Sequence, residues 1–314
     1  MQRSLFDRGN AALADRGNGA LADRRNGVLA VLGAYGSWGL FPLYFKALRA
    51  HPLEVLVHRI VWSALFLLAI NGWQRRWDWL LGVLRSPRLI LGSLFSATLL
   101  SINWYVYIWA VGVDRVIDAS LGYFITPLLQ VVFGVVLLRE ALRLVQWLAL
   151  GTAALGVLWL TLEFGQLPWV GLVLAASFGS YAALRKTARL GALEGLVLET
   201  WLLLPLALGY LFWLARAGES SFYEGGLAQR LALLAAGPLT SVPLLLFAAG
   251  ARRIPLSLVG VLQYVSPTLQ LLLGILIWHE PFQPGKLLGY ALIWLALLIY
   301  SAESLWVWRR GLAH

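Results

Sequence analysis

Residues 119–140, ASLGYFITPLLQVVFGVVLLRE, return as residues 259–280, VGVLQYVSPTLQLLLGILIWHE, at a constant offset of 140. Pro127, Leu129, Gln130, Gly134 and Glu140 reappear as Pro267, Leu269, Gln270, Gly274 and Glu280, and Thr126 is matched by Ser266. A half-protein has been duplicated, so whatever fold the chain adopts is built twice from one plan. On a helix the Pro, the Gln three positions on and the Gly seven positions on share one face, which gives each copy a polar, closely approachable stripe. Two further pieces belong to the same repeat. YGSWG at 35–39 matches FGSYA at 178–182, and PLEVLVHRIVW at 52–62 matches ALEGLVLETWL at 192–202. In the last pair His58-Arg59 is exchanged for Leu198-Glu199.

With 60% apolar and 13% charged residues, the chain cannot hide its hydrophobic surface in one water-soluble core. Apolar runs of about 20 residues recur along it, the length that crosses a bilayer as a helix. The expected fold class is therefore an all-α polytopic membrane protein. The absence of Cys excludes disulfides and thiolate metal sites, and His51, His58, His279 and His314 show no metal-binding spacing, so no metal and no cofactor is expected. The formal charge of +10 sits singly or in pairs between apolar runs, where it orients the chain in the membrane; no nucleic-acid partner is expected.

Residues 1–26, with the repeated octets DRGNAALA and DRGNGALA, read as a flexible cytoplasmic N-terminal tail rather than a signal peptide. Ten spans follow, at roughly 28–47, 52–71, 89–112, 117–138 and 143–162, then 168–186, 193–214, 229–250, 255–278 and 285–306. Residues 27–162 form the first five-helix repeat, 168–306 the second, and 307–314 a cytoplasmic C-terminal tail. An odd number of spans per repeat makes the second copy enter from the opposite side, so the halves are inverted about an axis in the membrane plane. Placing both termini inside puts 18 of the 25 Lys and Arg residues on the cytoplasmic side and 6 outside, with Arg59 within a span. Arg139 and Arg143 in the inside loop become His279 and Gln283 in the equivalent outside loop.

The motifs AYGSWGLFPLYFK, VHRIVWS, SINWYVYIWAV, DASLGYFITPLLQVVFGVVLLRE, QWLAL, LETWLLLP and SVPLLLFAAGARRIPLSLVGVLQYVSPTLQ, with the HEP turn, span about Gly27 to Trp306. Together they resemble the EamA, or drug/metabolite transporter, superfamily and within it the RarD-type permeases, a branch named for chloramphenicol sensitivity. The resemblance implies ten helices in two inverted five-helix repeats, a central cavity, and movement of small molecules across the inner membrane, with export as the direction. It does not fix the substrate.

Polar groups deep in an apolar bundle are tolerated only when they face protein or a water-filled cavity, so they are the candidates for transport. Tyr35, Trp38 and Tyr181 lie mid-span among small residues and either line a cavity or pack helices. His58 and Arg59 lie two turns from the outer end of span 2. A charged Arg at that depth costs about 2.5–3.5 kcal/mol unless paired or hydrated. Glu199 lies about two turns from the inner end of span 7, close enough axially for a direct pair with Arg59 that is not required. The two serve substrate recognition, gating or proton coupling, or else form a structural ion pair. Asn103 and Tyr107 hydrogen-bond a substrate or a neighbouring helix, and Trp104 lines the cavity or joins an aromatic belt. Tyr123, Gln130, Gln263, Tyr264 and Gln270 surround Pro127 and Pro267, whose missing N–H groups kink the spans, either as a gate hinge or as a static kink.

The spacing supplies no nucleophile beside a base and no carboxylate pair, so an enzyme is not expected. Channel signatures, such as rings of like charge, are absent as well. A structural or regulatory membrane protein is the alternative, but it gives Arg59 and Glu199 no reason. The expectation is an inner-membrane, multi-pass transporter for small metabolites, amino acids or drugs such as chloramphenicol, working by alternating access with the lipid bilayer and its substrate as partners. Duplication within one chain supplies the pairing that single-repeat relatives gain by dimerising, which leaves the oligomeric state open and makes a functional monomer the expectation.

Overall fold

The computed structural model describes residues 22–75, 77–113, 116–163, 169–277 and 284–309. The expectations for residues 1–21, for the C-terminal tail beyond 309 and for Glu280 in the HEP turn lie outside the described residues. Among them the chain is helical, with no strand. Helix α1 covers 22–39 and continues after Leu40 into α2, Phe41–Ala47, which begins on Pro42 at its first turn. The long helices after it are α3 (Pro52–Trp73), α5 (Pro87–Gly112), α6 (Val116–Val136) and α7 (Leu144–Glu163) in the first half. The second half contains α8 (Trp169–Thr187), α9 (Ala192–Ala217), α11 (Leu227–Ala251), the pair α12 (Leu256–Gln263) and α13 (Val265–Leu276), and α14 (Gly285–Arg309). Two short helices, α4 (Asp78–Leu84) and α10 (Ser221–Glu224), lie in connections. Residues 22–27, ahead of the span expected from about 28, are already helical, and Gly27 seats α1 against Gly250, Arg253 and Ile254 while Asp23 bonds Arg253 at 2.9 Å.

Eight of the helical stretches are long and apolar enough to cross a membrane. The other two long helices, α6 and α8, pack against each other inside the bundle. Gly122 makes that packing possible, because a Cβ there would fall 2.8 Å from the Cα of Gly171.

Three sets of equivalent helices, α3 with α9, α6 with α12 and α7 with α14, pack against each other and run antiparallel. In α3 and α9, Val57 and Val61 meet Ala207 and Leu204. In α6 and α12, Phe124 stacks on its own repeat counterpart Tyr264, while Gly260 lies against Pro127 and Gln130. In α7 and α14, Arg143 reaches Glu303 at one end and Trp159 bonds the Gly285 carbonyl at the other. Reversed chain direction between equivalents is what an inverted duplication requires, since an axis in the membrane plane maps each helix onto an antiparallel copy, and the helices nearest that axis meet their own copies.

The halves are also joined at a helix end. Both carboxylate oxygens of Glu140 accept from backbone N–H groups opening α12, Leu256 at 2.6 Å and Ser257 at 3.0 Å. Lys186 meanwhile donates to the Ile254 carbonyl at 2.7 Å, just beyond the end of α11. Replacing Glu140 with alanine removes a charge-assisted cap. About 1–2 kcal/mol of stability should be lost, read as a lower unfolding midpoint by circular dichroism in detergent, and a midpoint equal to the native protein's would show the cap to be idle.

Candidate functional site

Three adjoining cavities occupy the interior between α1–α3, α5, α8, α9, α11 and the α12–α13 pair. The first is lined by Arg59, Ser63, Ser101, Trp104, Glu199, Thr200, Thr240 and Ser241 among aliphatic residues. The second is aromatic: Tyr35, Trp38, Phe41, Trp104, Tyr107, Tyr123 and Phe178, with Asn103, Gln263 and Gln270. The third is basic at its mouth, with Arg88 and Arg189, and has Ser96, Arg185 and Glu199 at its base. Trp104 is a wall of the first and second cavities, and Glu199 of the first and third.

Arg59 enters two turns along α3, and 2% of it is exposed. Its Nε donates to Thr240 Oγ1 at 2.8 Å, and its guanidinium carbon lies 3.5 Å from the Trp104 ring centroid. Phe45 and Phe41 complete an aromatic cage at 5.6 and 6.0 Å. Glu199, 3% exposed, accepts from Ser96 at 2.8 Å and pairs with Arg185 at 3.4 Å. The two deep charges thus share a cavity without forming a pair. Arg185, at the end of the sixth expected span, is the buried partner of Glu199. It lies in the last turn of α8, where Gly195 leaves room for the guanidinium against α9.

The aromatic cavity gathers most of the remaining candidates. Trp38 meets Phe178 edge to face, centroids 5.4 Å apart, and Tyr107 meets Tyr123 in the same manner. Gln263 Oε1 accepts from Gln130 at 2.8 Å and from Tyr35 at 3.3 Å, and Gln270 donates to the Trp38 carbonyl. Asn103 uses its amide to tie α5 to α8, through the Leu174 carbonyl at 2.9 Å and Ser177 at 3.0 Å. Tyr181 is fully buried with an unpartnered hydroxyl and lines none of the three cavities. Tyr264 bonds the Phe124 carbonyl, and Pro127 lies inside a continuous α6, whereas its counterpart Pro267 follows the break between α12 and α13 at Tyr264. His58 sits apart, at the end capped by α10: it accepts from Trp62, stacks on Phe222 and lies 3.8 Å from Glu54, which holds Ser220 and Ser221.

Sequence reasoning missed Ser96, Thr240, Ser241 and Arg185. Ser96 lies seven residues before Asn103 on the same helical face, and Thr240-Ser241 is a hydroxyl pair between Pro238 and Pro243 in one apolar span, so both signals were present. Arg185 carried none, because a charge at a span end reads as topology.

An all-helical bundle whose halves are antiparallel duplicates, enclosing polar and aromatic cavities, defines the class of multi-pass membrane transporters. The EamA-like transporter family matches residues 25–162 and again 167–302, and this chain belongs to that family. It is 43% identical over 287 residues to a protein RarD of Streptomyces exfoliatus, covering 90% of each chain. It is also 45% identical to an uncharacterized transporter of Pseudomonas aeruginosa, over 88% of this chain and 93% of the other. These similarities assign it to the RarD-type permeases. One solved crystal structure shares its fold at a TM-score of 0.64 and 24% identity, covering 88% of this chain and 97% of its own.

Proposed function

We propose that the protein is an inner-membrane exporter of small metabolites, amino acids or drugs such as chloramphenicol, working as a monomer by alternating access. In this reading ten helices cross the membrane, both termini are cytoplasmic, and the basic cavity is the cytoplasmic mouth. The observation that carries it is the chain of shared walls: Glu199 lines both the basic cavity and the Arg59 cavity, and Trp104 lines both that one and the aromatic cavity. A path interrupted by single side chains is what alternate opening to two sides needs, because small movements of the two halves open one partition while the other stays shut. Tyr35, Trp38 and Tyr107 supply flat, weakly polar walls for an amphiphilic solute, and the Gln130–Gln263 pair supplies hydrogen bonds. Protons are the proposed coupling ion, with Glu199 the group that faces both sides.

Counterflow of labelled amino acids and chloramphenicol in liposomes tests this, comparing the native protein with Trp38→Ala at matched insertion. Saturable exchange is expected, reduced about tenfold or more by removal of a ring that touches the neighbouring aromatics on several sides. Absence of exchange for every compound in correctly folded protein would overturn the transport reading.

A further inference from the structure

The Arg59 cavity contains a cluster of unsatisfied donors. Only Nε of the guanidinium is bonded; Nη1 and Nη2, both buried, have no hydrogen-bond partner. Trp104 Nε1 and Ser241 Oγ, side chains of the same lining, are also buried without partners. Buried donors are rarely left unmade, because each lone one retains its full desolvation cost. Glu199 Oε2, an acceptor of the same lining, is unpartnered as well, but four donors against one acceptor leave the cavity short of acceptors.

Charge decides which acceptor. Glu199 is engaged by Arg185, and none of the ion pairs among the described residues includes Arg59. The cavity thus carries one uncompensated positive charge, and a monoanion neutralises it where a dianion would overshoot. The free Nη1 and Nη2 form a planar fork that matches the two oxygens of a carboxylate. Stacking on Trp104 and the Nε bond to Thr240 fix the plane of that fork before a solute arrives, which lowers the ordering cost of binding.

We infer that Arg59 anchors a carboxylate of the transported solute, held bidentate by Nη1 and Nη2 with the Ser241 hydroxyl as an additional donor, while the aliphatic lining takes the solute's apolar part. The inference rests on the transport reading above and names the substrate class: monoanionic carboxylates with an apolar body.

Equilibrium dialysis of the purified full-length protein in detergent near neutral pH tests it with labelled benzoate, its neutral isostere benzamide, and inorganic phosphate. Benzoate is expected to bind saturably, with benzamide at least about tenfold weaker because its charge-assisted bonds are lost, and phosphate at least about tenfold weaker because it has no apolar body for the aliphatic lining and its dianion overshoots the single positive charge. Arg59→Lys keeps the charge without the fork and should weaken benzoate about tenfold. Arg59→Met should abolish its advantage over benzamide, and Ser241→Ala should weaken benzoate roughly two- to tenfold. Equal binding of benzoate and benzamide to the native protein, or no saturable benzoate binding, overturns the inference without reference to any variant's folding. Counterflow of neutral chloramphenicol in liposomes reconstituted from the same purified protein separates the two claims. Exchange without benzoate discrimination sinks the anchor alone, whereas discrimination without exchange of any solute sinks the transport reading and leaves Arg59 as a carboxylate site without a transported solute.

Discussion

Glu199→Ala is expected to destabilise the folded protein by about 3–5 kcal/mol, the cost of stranding a buried charge when its partner is removed. The stranded group is Arg185, 2% exposed, whose Nη1 faces the Glu199 carboxylate at 3.4 Å. Its Nη2 bonds to the Gly191 and Ala192 carbonyls would remain, but they carry no countercharge. The double variant Glu199→Ala with Arg185→Met should recover most of the loss, because an aliphatic chain of similar length fills the space without a charge. Glu199→Gln should fall between, retaining an acceptor for Ser96. Unfolding in mixed detergent micelles followed by circular dichroism gives all three values. A loss below about 1 kcal/mol for Glu199→Ala, in the range of exposed pairs, would show that the ion pair does not hold α8 to α9.

Gly237→Val should be comparably damaging for a steric reason. A Cβ at Gly237 would lie 2.5 Å from the backbone carbon and oxygen of Trp62, and backbone has no rotamer in which to retreat. Helix α3 would have to move away from α11, taking Arg59 away from Thr240 and breaking the Ser63 bond to the Gly237 carbonyl. Overpacking costs about 1–3 kcal/mol where side chains give way and more where they cannot. The expected result is therefore a loss of about 3 kcal/mol or more, accompanied by loss of benzoate binding. Gly36 is the control: a Cβ there meets nothing within 4 Å, so Gly36→Ala should leave stability unchanged or slightly raised. If Gly237→Val unfolded at the same midpoint as Gly36→Ala, the close α3–α11 approach would be refuted.

Much of this architecture could be read from the chain itself. Segment length and hydropathy set the membrane as the solvent for most of the chain, and the repeat at a 140-residue offset imposed two halves with reversed direction, visible in the stacking of Phe124 on Tyr264. Local periodicity also brought out the deep polar side chains, since a charge or amide inside an apolar run stands out without knowledge of its neighbours. The partners of those side chains were decided only by tertiary structure. Arg59 and Glu199 occupy equivalent repeat positions and invite pairing, yet Arg59 bonds Thr240, 181 positions away, and Glu199 bonds Ser96, 103 positions away. Helical periodicity fixes which face a residue occupies. The rotation and approach of one helix against another, set here by Gly122, Gly195 and Gly237, fix what that face meets, and so leave the Arg59 fork open in one cavity while closing Glu199 onto Arg185.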